Sequence, residues 1–304
     1  MLPLVDVVVV NWNAGRQLGE CLAAVRSSAQ ARHRLGQLVV VDNASTDNSL
    51  ALPAATAPDL VIRNDLNRGF AAACNQGARA GTSPYLLFLN PDTRVDRDAL
   101  DNAIAHLEAA TASHIGILGA RLYDEGGTVA KTSARFPTSW TMVARSLGLD
   151  RTRIVRGYLM TDWAHDDTRM VDHVIGAFYL VRRAVFESLS GFDERYFVYL
   201  EDLDFSCRAH RAGWRTLYAA DVKVFHKGGG TSEQVRGRRL AYALRSRIAY
   251  SRRHFTIPGA AAVLVTTLVA EPIIRLGWGL LRRAPGEVSE TLEAFQLIWR
   301  WRTR

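Results

Sequence analysis

Cysteine is scarce and scattered. The 304 residues hold only Cys21, Cys74 and Cys207, and their spacing matches neither a zinc site nor a disulfide framework. They read as reduced thiols of a cytosolic protein. No Gly-x-Gly-x-x-Gly occurs, which excludes the dinucleotide fingerprint of a nicotinamide enzyme. The stretch after the first apolar run, Asn11-Trp12-Asn13-Ala14-Gly15, has one glycine, which argues against the Gly-rich triphosphate loop of a nucleotidyltransferase. The opening residues lack a basic segment and carry Asp6, so a secretory signal is not expected. Repeats and low-complexity tracts are absent. With 48% hydrophobic residues and nine prolines the chain is globular, and it is long enough for one sizeable core or two small ones.

Acidic residues are also missing from one end. Residues 205–304 hold 18 Lys/Arg against 6 Asp/Glu, a net +12, whereas residues 1–204 hold 20 against 24, a net −4. A basic end on a mildly acidic body is expected to meet an anionic surface. Interleaved apolar residues make that surface a membrane rather than nucleic acid. Arg236–His254 contains seven arginines and no acid. Ile257–Leu281 is apolar, but its uncharged part, Ile257–Ala270, is 14 residues, short of the ~20 a spanning helix needs. Glu271 and Arg275 then interrupt it. An in-plane anchor is expected, with Trp278, Trp299 and Trp301 at the interface; packing on the rest of the chain or a dimer contact is the alternative.

Hydrophobic periodicity gives the layout. Val5–Asn11 is a β-branched run of the kind buried on both faces. Residues 17–31 repeat apolar positions at helical spacing. Strands are expected at Leu38–Asp42, Leu60–Ile62 and Tyr85–Asn90, with helices at Phe70–Ala80 and Ala99–Ala110. This alternation implies right-handed βαβ units around a parallel sheet. Ile115–Tyr123 and Val174–Val181 are further strands. Residues 135–172 lack periodicity and are expected to be a long mobile loop. A helix is expected at Glu201–Ala212, strands at Thr216–Tyr218 and Val222–His226, and helices at residues 232–255 and Val288–Trp301. Parallel sheets bind ligands beyond the carboxyl ends of their strands, where Asn11, Asp42 and Asp92 fall.

The acidic motifs are Val41-Asp42-Asn43-Ala44-Ser45-Thr46-Asp47, Leu89-Asn90-Pro91-Asp92-Thr93, and Glu201-Asp202-Leu203-Asp204 between Gly191-Phe192-Asp193-Glu194 and Gly213-Trp214. His226 ends the strand-like run that follows. Strand-end carboxylates plus one imidazole suit a divalent metal, a nucleotide diphosphate and a general base. Each group also has an ordinary reading: Asp42 as a turn acid, Glu201 and Asp202 as helix caps, His226 as a satisfied strand-end histidine. In order and spacing the set resembles the family 2 inverting glycosyltransferases from about Val5 to Phe255. Within them it is similar to the bacterial rhamnosyltransferases that build polysaccharide on a lipid carrier.

That resemblance implies an α/β, GT-A fold, mainly parallel and flanked by helices, over residues 1–231, and a helical membrane-associating extension over 232–304. It implies that Asp42 accepts the imide N3–H of uracil or thymine, with Asn11 and Asn13 lining the same pocket. Arg68 faces phosphate and Gly69 allows close backbone approach. Asn90-Pro91-Asp92 stands where the family carries Asp-x-Asp, a departure that leaves Asp92 and His226 to hold the metal. One or two protein ligands plus phosphate oxygens suit Mg²⁺ or Mn²⁺. The Gly228-Gly229-Gly230 loop is expected over the diphosphate. Asp202 is the expected base, Glu201 and Asp204 support or bind the acceptor, and Gly176 and Phe178 shape its pocket. The implied partners are a dTDP- or UDP-sugar donor, a glycan or lipid-linked saccharide acceptor and the inner face of the cytoplasmic membrane, with no nucleic acid. The implied donor is dTDP-rhamnose; UDP-hexose, UDP-GlcNAc or UDP-galactofuranose are alternatives, as is a non-catalytic membrane-surface protein.

Overall fold

A computed structural model describes residues 4–29, 34–152, 155–228 and 235–302, with backbone alone for 29, 151, 152, 301 and 302. Residue 31, Gly229 and Gly230, the boundary at 231/232 and the Trp301 side chain lie outside what is described. The chain forms two compact units. One comprises Met1–Arg135, Leu159–Glu194 and Glu201–Thr231; the other comprises Phe136–Tyr158, Arg195–Leu200 and Ser232–Arg304.

The first unit is built on β1 (Val5–Asn11), α1 (Arg16–Ala29), β2 (Leu35–Asp42), β3 (Leu60–Arg63), α2 (Phe70–Ala78), β4 (Tyr85–Leu89), β5 (Thr93–Val95), α3 (Ala99–Glu108), β6 (Ile115–Tyr123) and β7 (Ser133–Ala134). After α4 (Ser139–Ser146) of the second unit it continues with β8 (Arg169–Val171), β9 (His173–Val174), β10 (Phe178–Arg182), α5 (Arg183–Ser188), α6 (Glu201–Arg211) and β11 (Arg215–His226). Among the described residues the main sheet has nine strands, ordered β3-β2-β1-β4-β10-β6-β11-β5, with β8 also on β11. β1 runs parallel to β2 and β4, and β6 to β11, while β10 enters antiparallel between β4 and β6.

The β-branched run of β1 follows from its two-sided burial. Val5, Val7 and Val9 pack with α1 and α3 on one face, and Val8 and Val10 with α2, α5 and α6 on the other. Alternate residues of one strand thus enter two cores, and the one charge within the run, Asp6, is buried with bonds from the Gln37 and Ser83 amides and from Arg183. α2 lies close to the sheet: a Cβ at Gly77 would stand 2.3 Å from Val8 Cγ1. That explains its alanine-rich sequence.

Three local expectations are corrected. Residues 135–172 are not one loop. Thr138 caps α4 through reciprocal bonds with Thr141, a capping box with threonine where glutamate is the usual signal. The expected strand Val174–Val181 is broken into β9 and β10, because residues 175–177 turn the Gly176 amide toward α6. The two strands expected at 216–226 are one, β11, with a register shift between Ala219 and Lys223.

The second unit carries α4 and the C-terminal helices α7 (Arg236–His254), α8 (Ile257–Val265), α9 (Glu271–Leu281) and α10 (Pro285–Arg302). Ala241, Leu244, Ala294, Phe295 and Ile298 form its core. A π-helical stretch, Thr266–Ala270, joins α8 to α9. Pro272 follows it and has no N–H to give, so the helix widens there instead of continuing its ladder. Ile257–Leu281 is long and apolar enough to cross a membrane by length and composition.

Candidate active site

The carboxyl ends of β1, β2 and β4 form one rim. Asn11 is the register partner of Asp42, and Val9 that of Leu89. Asn11 Nδ2 donates to Asp42 Oδ1 (2.7 Å), Ser45 Oγ (3.0 Å) and Ser49 Oγ (2.8 Å). Asp42 Oδ2 accepts the Ser45 amide at 3.2 Å. Asp42 is 5% exposed, and a carboxylate with two bonds keeps acceptor capacity for one more. Asn11 Oδ1 is buried with no hydrogen-bond partner among the described residues. Asn13 takes a left-handed φ of +52°, which asparagine tolerates. Its Oδ1 accepts the amides of Thr46 (2.7 Å) and Asp47 (3.3 Å), so it shapes the loop beside Asp42. Asp47 loses some ground to desolvation, but the bonds from Ser49 and the Gly15 amide hold its carboxyl below the usual range.

Gly69 at the start of α2 has φ +87°, a conformation that favours glycine. Its carbonyl accepts Asn43 Nδ2 at 3.1 Å, which fastens the loop after β2 to α2. Arg68 beside it is exposed and forms no ion pair among the described residues.

Asn90 is the pivot of the rim. Its amide donates to the Ala177 carbonyl (3.1 Å), and its own carbonyl accepts Thr93 Oγ1 (2.7 Å). The hydroxyl bond closes a tight turn that projects Asp92. β5 pairs His226 with Thr93, and the Lys227 amide donates to the Asp92 carbonyl at 3.1 Å. The result is His226 Nε2 at 3.4 Å from Asp92 Oδ1. A cavity of about 240 Å³ opens here, lined by Asp92, Thr93, Phe225 and Lys227 among others. Among the described residues no group of three or more His, Cys, Asp or Glu is placed to hold a metal ion. The pair still fits a divalent cation that takes its other ligands from phosphate and water, since a carboxylate oxygen and an imidazole nitrogen face each other across a single gap.

Asp202 reaches the same rim through the Asn90–Ala177 bond. Gly176, next to Ala177, donates its amide to Asp202 Oδ2 at 2.7 Å, and the Leu203 amide donates to Oδ1 at 2.8 Å. The side chain keeps 14% exposure. Its neighbours fare differently. Glu201 is 4% exposed, and its Oε2 meets no donor among the described residues. Burial, then the adjacent Asp202 charge, push its carboxyl well above the usual range. Asp204 is fully buried and accepts Arg208 Nε at 2.7 Å. Arg208 in turn donates to the carbonyls of Leu189 (2.7 Å) and Gly191 (2.8 Å). Asp204 therefore holds the fold from a position closed off from solvent. The same holds for Phe178, 1% exposed in the core. Gly176 acts through its amide, and a Cβ there would come within 3.2 Å of Asp202 Oδ2.

Sequence reasoning passed over three residues behind Asp202: His173, Tyr179 as a polar group, and Ser206. Asn75, expected only as the end of a segment from Asn67 that resembles the family's stretch beneath the donor, has a carboxamide that bonds the Phe192 amide and carbonyl, both at 2.9 Å, and Glu194 Oε1. Asn75 fixes the Gly191–Glu194 segment. His173 and Ser206 carry no motif, and for the bonding of Asn75 an asparagine in an alanine-rich helix was the available signal.

The family model for glycosyl transferase family 2 matches residues 6–189. The chain belongs to that family. An N-acetylglucosaminyl-diphospho-decaprenol L-rhamnosyltransferase of Mycobacterium tuberculosis is 27% identical to the glycosyltransferase over 256 residues, 74% of this chain and 76% of the relative. The rhamnosyltransferase WbbL of Escherichia coli is 30% identical over 177 residues, 58% of this chain and 64% of the relative. Among solved structures, the mannosyltransferase PcManGT of Pyrobaculum calidifontis with GDP-Man and Mn²⁺ superposes with a TM-score of 0.52 at 20% identity, covering 97% of this chain and 74% of that one. GalNAc-T7 with UDP, GalNAc and Mn²⁺ gives 0.54 at 17% identity, covering 74% and 44%. The fold of the enzyme is thus GT-A-like.

Proposed function

We propose that the enzyme transfers L-rhamnose from dTDP-rhamnose, with inversion, to a polyprenyl-diphosphate-linked saccharide in cell-surface polysaccharide synthesis. The rhamnosyltransferases among its relatives support the sugar and the acceptor class. The observation that carries the chemistry is Asp202, the one carboxylate of Glu201-Asp202-Leu203-Asp204 that is neither buried with an unbonded oxygen nor spent on an arginine, and is held by two backbone amides on the rim shared with Asp92.

Asp202 takes the proton of the acceptor hydroxyl. The acceptor oxygen bonds to the anomeric carbon on the face opposite the diphosphate. The bond from that carbon to the diphosphate breaks, its electron pair stays on the phosphate oxygen, and dTDP leaves. Asp42 and Asn11 receive the base of the nucleotide, and Arg68 approaches its phosphates. Asp92 and His226 hold a divalent cation, Mg²⁺ or Mn²⁺, which when bound takes charge off the departing diphosphate.

The enzyme works on the inner membrane surface, held in plane by its C-terminal helices. The seven arginines of α7 supply attraction to anionic headgroups. Ile257, Ile273, Leu280 and Leu281 are 67–88% exposed, which supplies apolar contact. Glu271 argues against a span: it is buried in ion pairs with both Arg247 of α7 and Arg275. Carrying such charges into hydrocarbon costs roughly 2.5–3.5 kcal/mol each.

The test is transfer from labelled dTDP-L-rhamnose to N-acetylglucosaminyl-diphosphopolyprenol. Asp202→Asn is expected to lower turnover by roughly 10²–10⁴ with dTDP affinity unchanged. Near-normal turnover in the variant sinks the base assignment, and transfer only from a UDP-sugar sinks the donor.

A further inference from the structure

Behind Asp202 lies a row of polar side chains closed off from solvent. His173 Nδ1 is 3.0 Å from Ser206 Oγ, and Ser206 Oγ is 2.8 Å from the Tyr179 hydroxyl. The other ring nitrogen, His173 Nε2, stands 3.8 Å from Asp202 Oδ2. All three residues are buried. Burial holds the imidazole below its ordinary titration range against the pull of Asp202 and Asp172, so the ring is neutral and carries one proton.

Two proton orders are open to such a row. In one, the Nδ1–H donates to Ser206, Ser206 to Tyr179, and Tyr179 to the Asp202 carbonyl. That last contact is long, at 3.4 Å, and this order turns a bare Nε2 lone pair toward a carboxylate in a buried site. In the other, Tyr179 donates to Ser206, Ser206 donates to Nδ1, and the Nε2–H faces Asp202 Oδ2. The second order uses only the two short contacts and presents a donor to the negative charge.

We propose that His173 is a positioning residue of the transfer reaction: the Tyr179–Ser206 pair fixes its Nε2–H tautomer, and that N–H, 3.8 Å from Oδ2, adds its dipole to the Gly176 amide bond on that oxygen, while Oδ1, which accepts the Leu203 amide, takes the acceptor proton on its remaining lone pair. The inference rests on Asp202 as the base. It differs from a packing role because replacing the ring changes the protonation behaviour of the site and not only its stability.

The charged and titratable groups around Asp202 come from several elements. They are Glu201 and Asp204 on α6, Arg208 paired with Asp204, Asp172 beside β9, Tyr179 on β10 and Cys74 on α2. Burial, reinforced by the nearby Asp202 charge, holds the Cys74 thiol protonated, and burial holds the Tyr179 phenol so. Glu201, raised by burial and the Asp202 charge, is the neighbouring carboxyl to be separated from the base, so the profile is measured in wild-type and Glu201→Gln backgrounds.

Two measurements test the proposal on the full-length protein. Nitrogen-15 imidazole spectra, with His173 assigned by the signal lost in His173→Gln, are expected to show a neutral Nε2–H tautomer from pH 6 to 8; Ser206→Ala should populate the Nδ1–H form. With dTDP-rhamnose and the diphosphopolyprenol acceptor, His173→Phe should move the acid limb of kcat/KM to higher pH by roughly half a unit to one unit. His173→Gln, whose amide reaches the Nε2 position, should restore it, with dTDP affinity constant throughout. An Nδ1–H tautomer in the wild type overturns the inference. So does an acid limb that stays put in His173→Phe, or a shift that vanishes in the Glu201→Gln background. If Asp202→Asn is inactive, those results overturn the role of His173 alone; if Asp202→Asn retains turnover, the base reading and this inference fall together.

Discussion

Glu201 and Asp202 share a peptide bond, yet the first is 4% exposed with an unbonded Oε2 and the second accepts two backbone amides. A pair of carboxyls in contrasting environments divides into an acid kept neutral and a base kept available. The buried one has a consequence for stability. Its carboxyl is raised above the ordinary 4.5 by burial and by Asp202. As pH rises past that ordinary value the unfolded chain loses this proton while the folded chain keeps it, so stability falls until pH passes the folded value. Glu201→Gln does not titrate. Its melting temperature should match or exceed that of the wild type, and the gap should widen from pH 5 to pH 8. A gap independent of pH would contradict a neutral Glu201. In the sequence only the family resemblance set Asp202 apart from Glu201 and Asp204. Their separation depends on which face of α6 each occupies and on what lies opposite.

α6 shows that separation at the scale of an element. Glu201 and Asp204 turn inward and Asp202 turns to Gly176, although all three sit in the first helical turn. Asp204 orients Arg208, which bonds two carbonyls of the turn after α5. Removing it leaves a largely buried guanidinium without its counter-charge. Asp204→Ala should destabilise the first unit by about 3–5 kcal/mol, read as a lower denaturant midpoint, whereas Asp202→Asn should leave the midpoint near the wild type. Equal midpoints for the two variants would refute the division. The turn before α6 stores strain: Tyr199 and Leu200 both adopt left-handed backbone, at φ +71° and +64°. Non-glycine residues in that region cost of order 1–3 kcal/mol each and cluster at functional sites. Helix α6 itself was legible from its acidic start and its basic last turn. The break of the strand before it was not, because Ile175, Gly176 and Ala177 continue the apolar pattern and only the hydrogen bond to Asp202 needs the turn.

At the scale of the whole molecule the charge asymmetry and the exposed apolar side chains belong to the same C-terminal segment. Flotation with liposomes measures what they do. Binding should require anionic lipid and weaken as salt rises. Deleting residues 257–304 is a poor probe, because Phe295 and Ile298 of α10 complete the core on α7. Glu substitutions at Ile273 and Leu280, which are 67% and 70% exposed, should abolish flotation while the helical signal in circular dichroism is retained. Full binding by that double variant, or none by the wild type at low salt, would remove the membrane from the account. The second unit also collects residues 136–158 and 195–200, segments far apart in sequence that periodicity does not connect.

The sequence by itself determined the alternating strands and helices, the rim where Asn11, Asp42 and Asp92 fall, the family and the charge asymmetry. Those properties are local, written in the period of apolar residues and in short motifs. Only the tertiary structure decided which carboxylate is reachable, that β10 runs antiparallel between β4 and β6, and that His173, Tyr179 and Ser206 meet behind Asp202. These depend on pairings between residues tens of positions apart. Burial and hydrogen-bond supply, which set the chemistry of a carboxylate, exist only once those pairings are made.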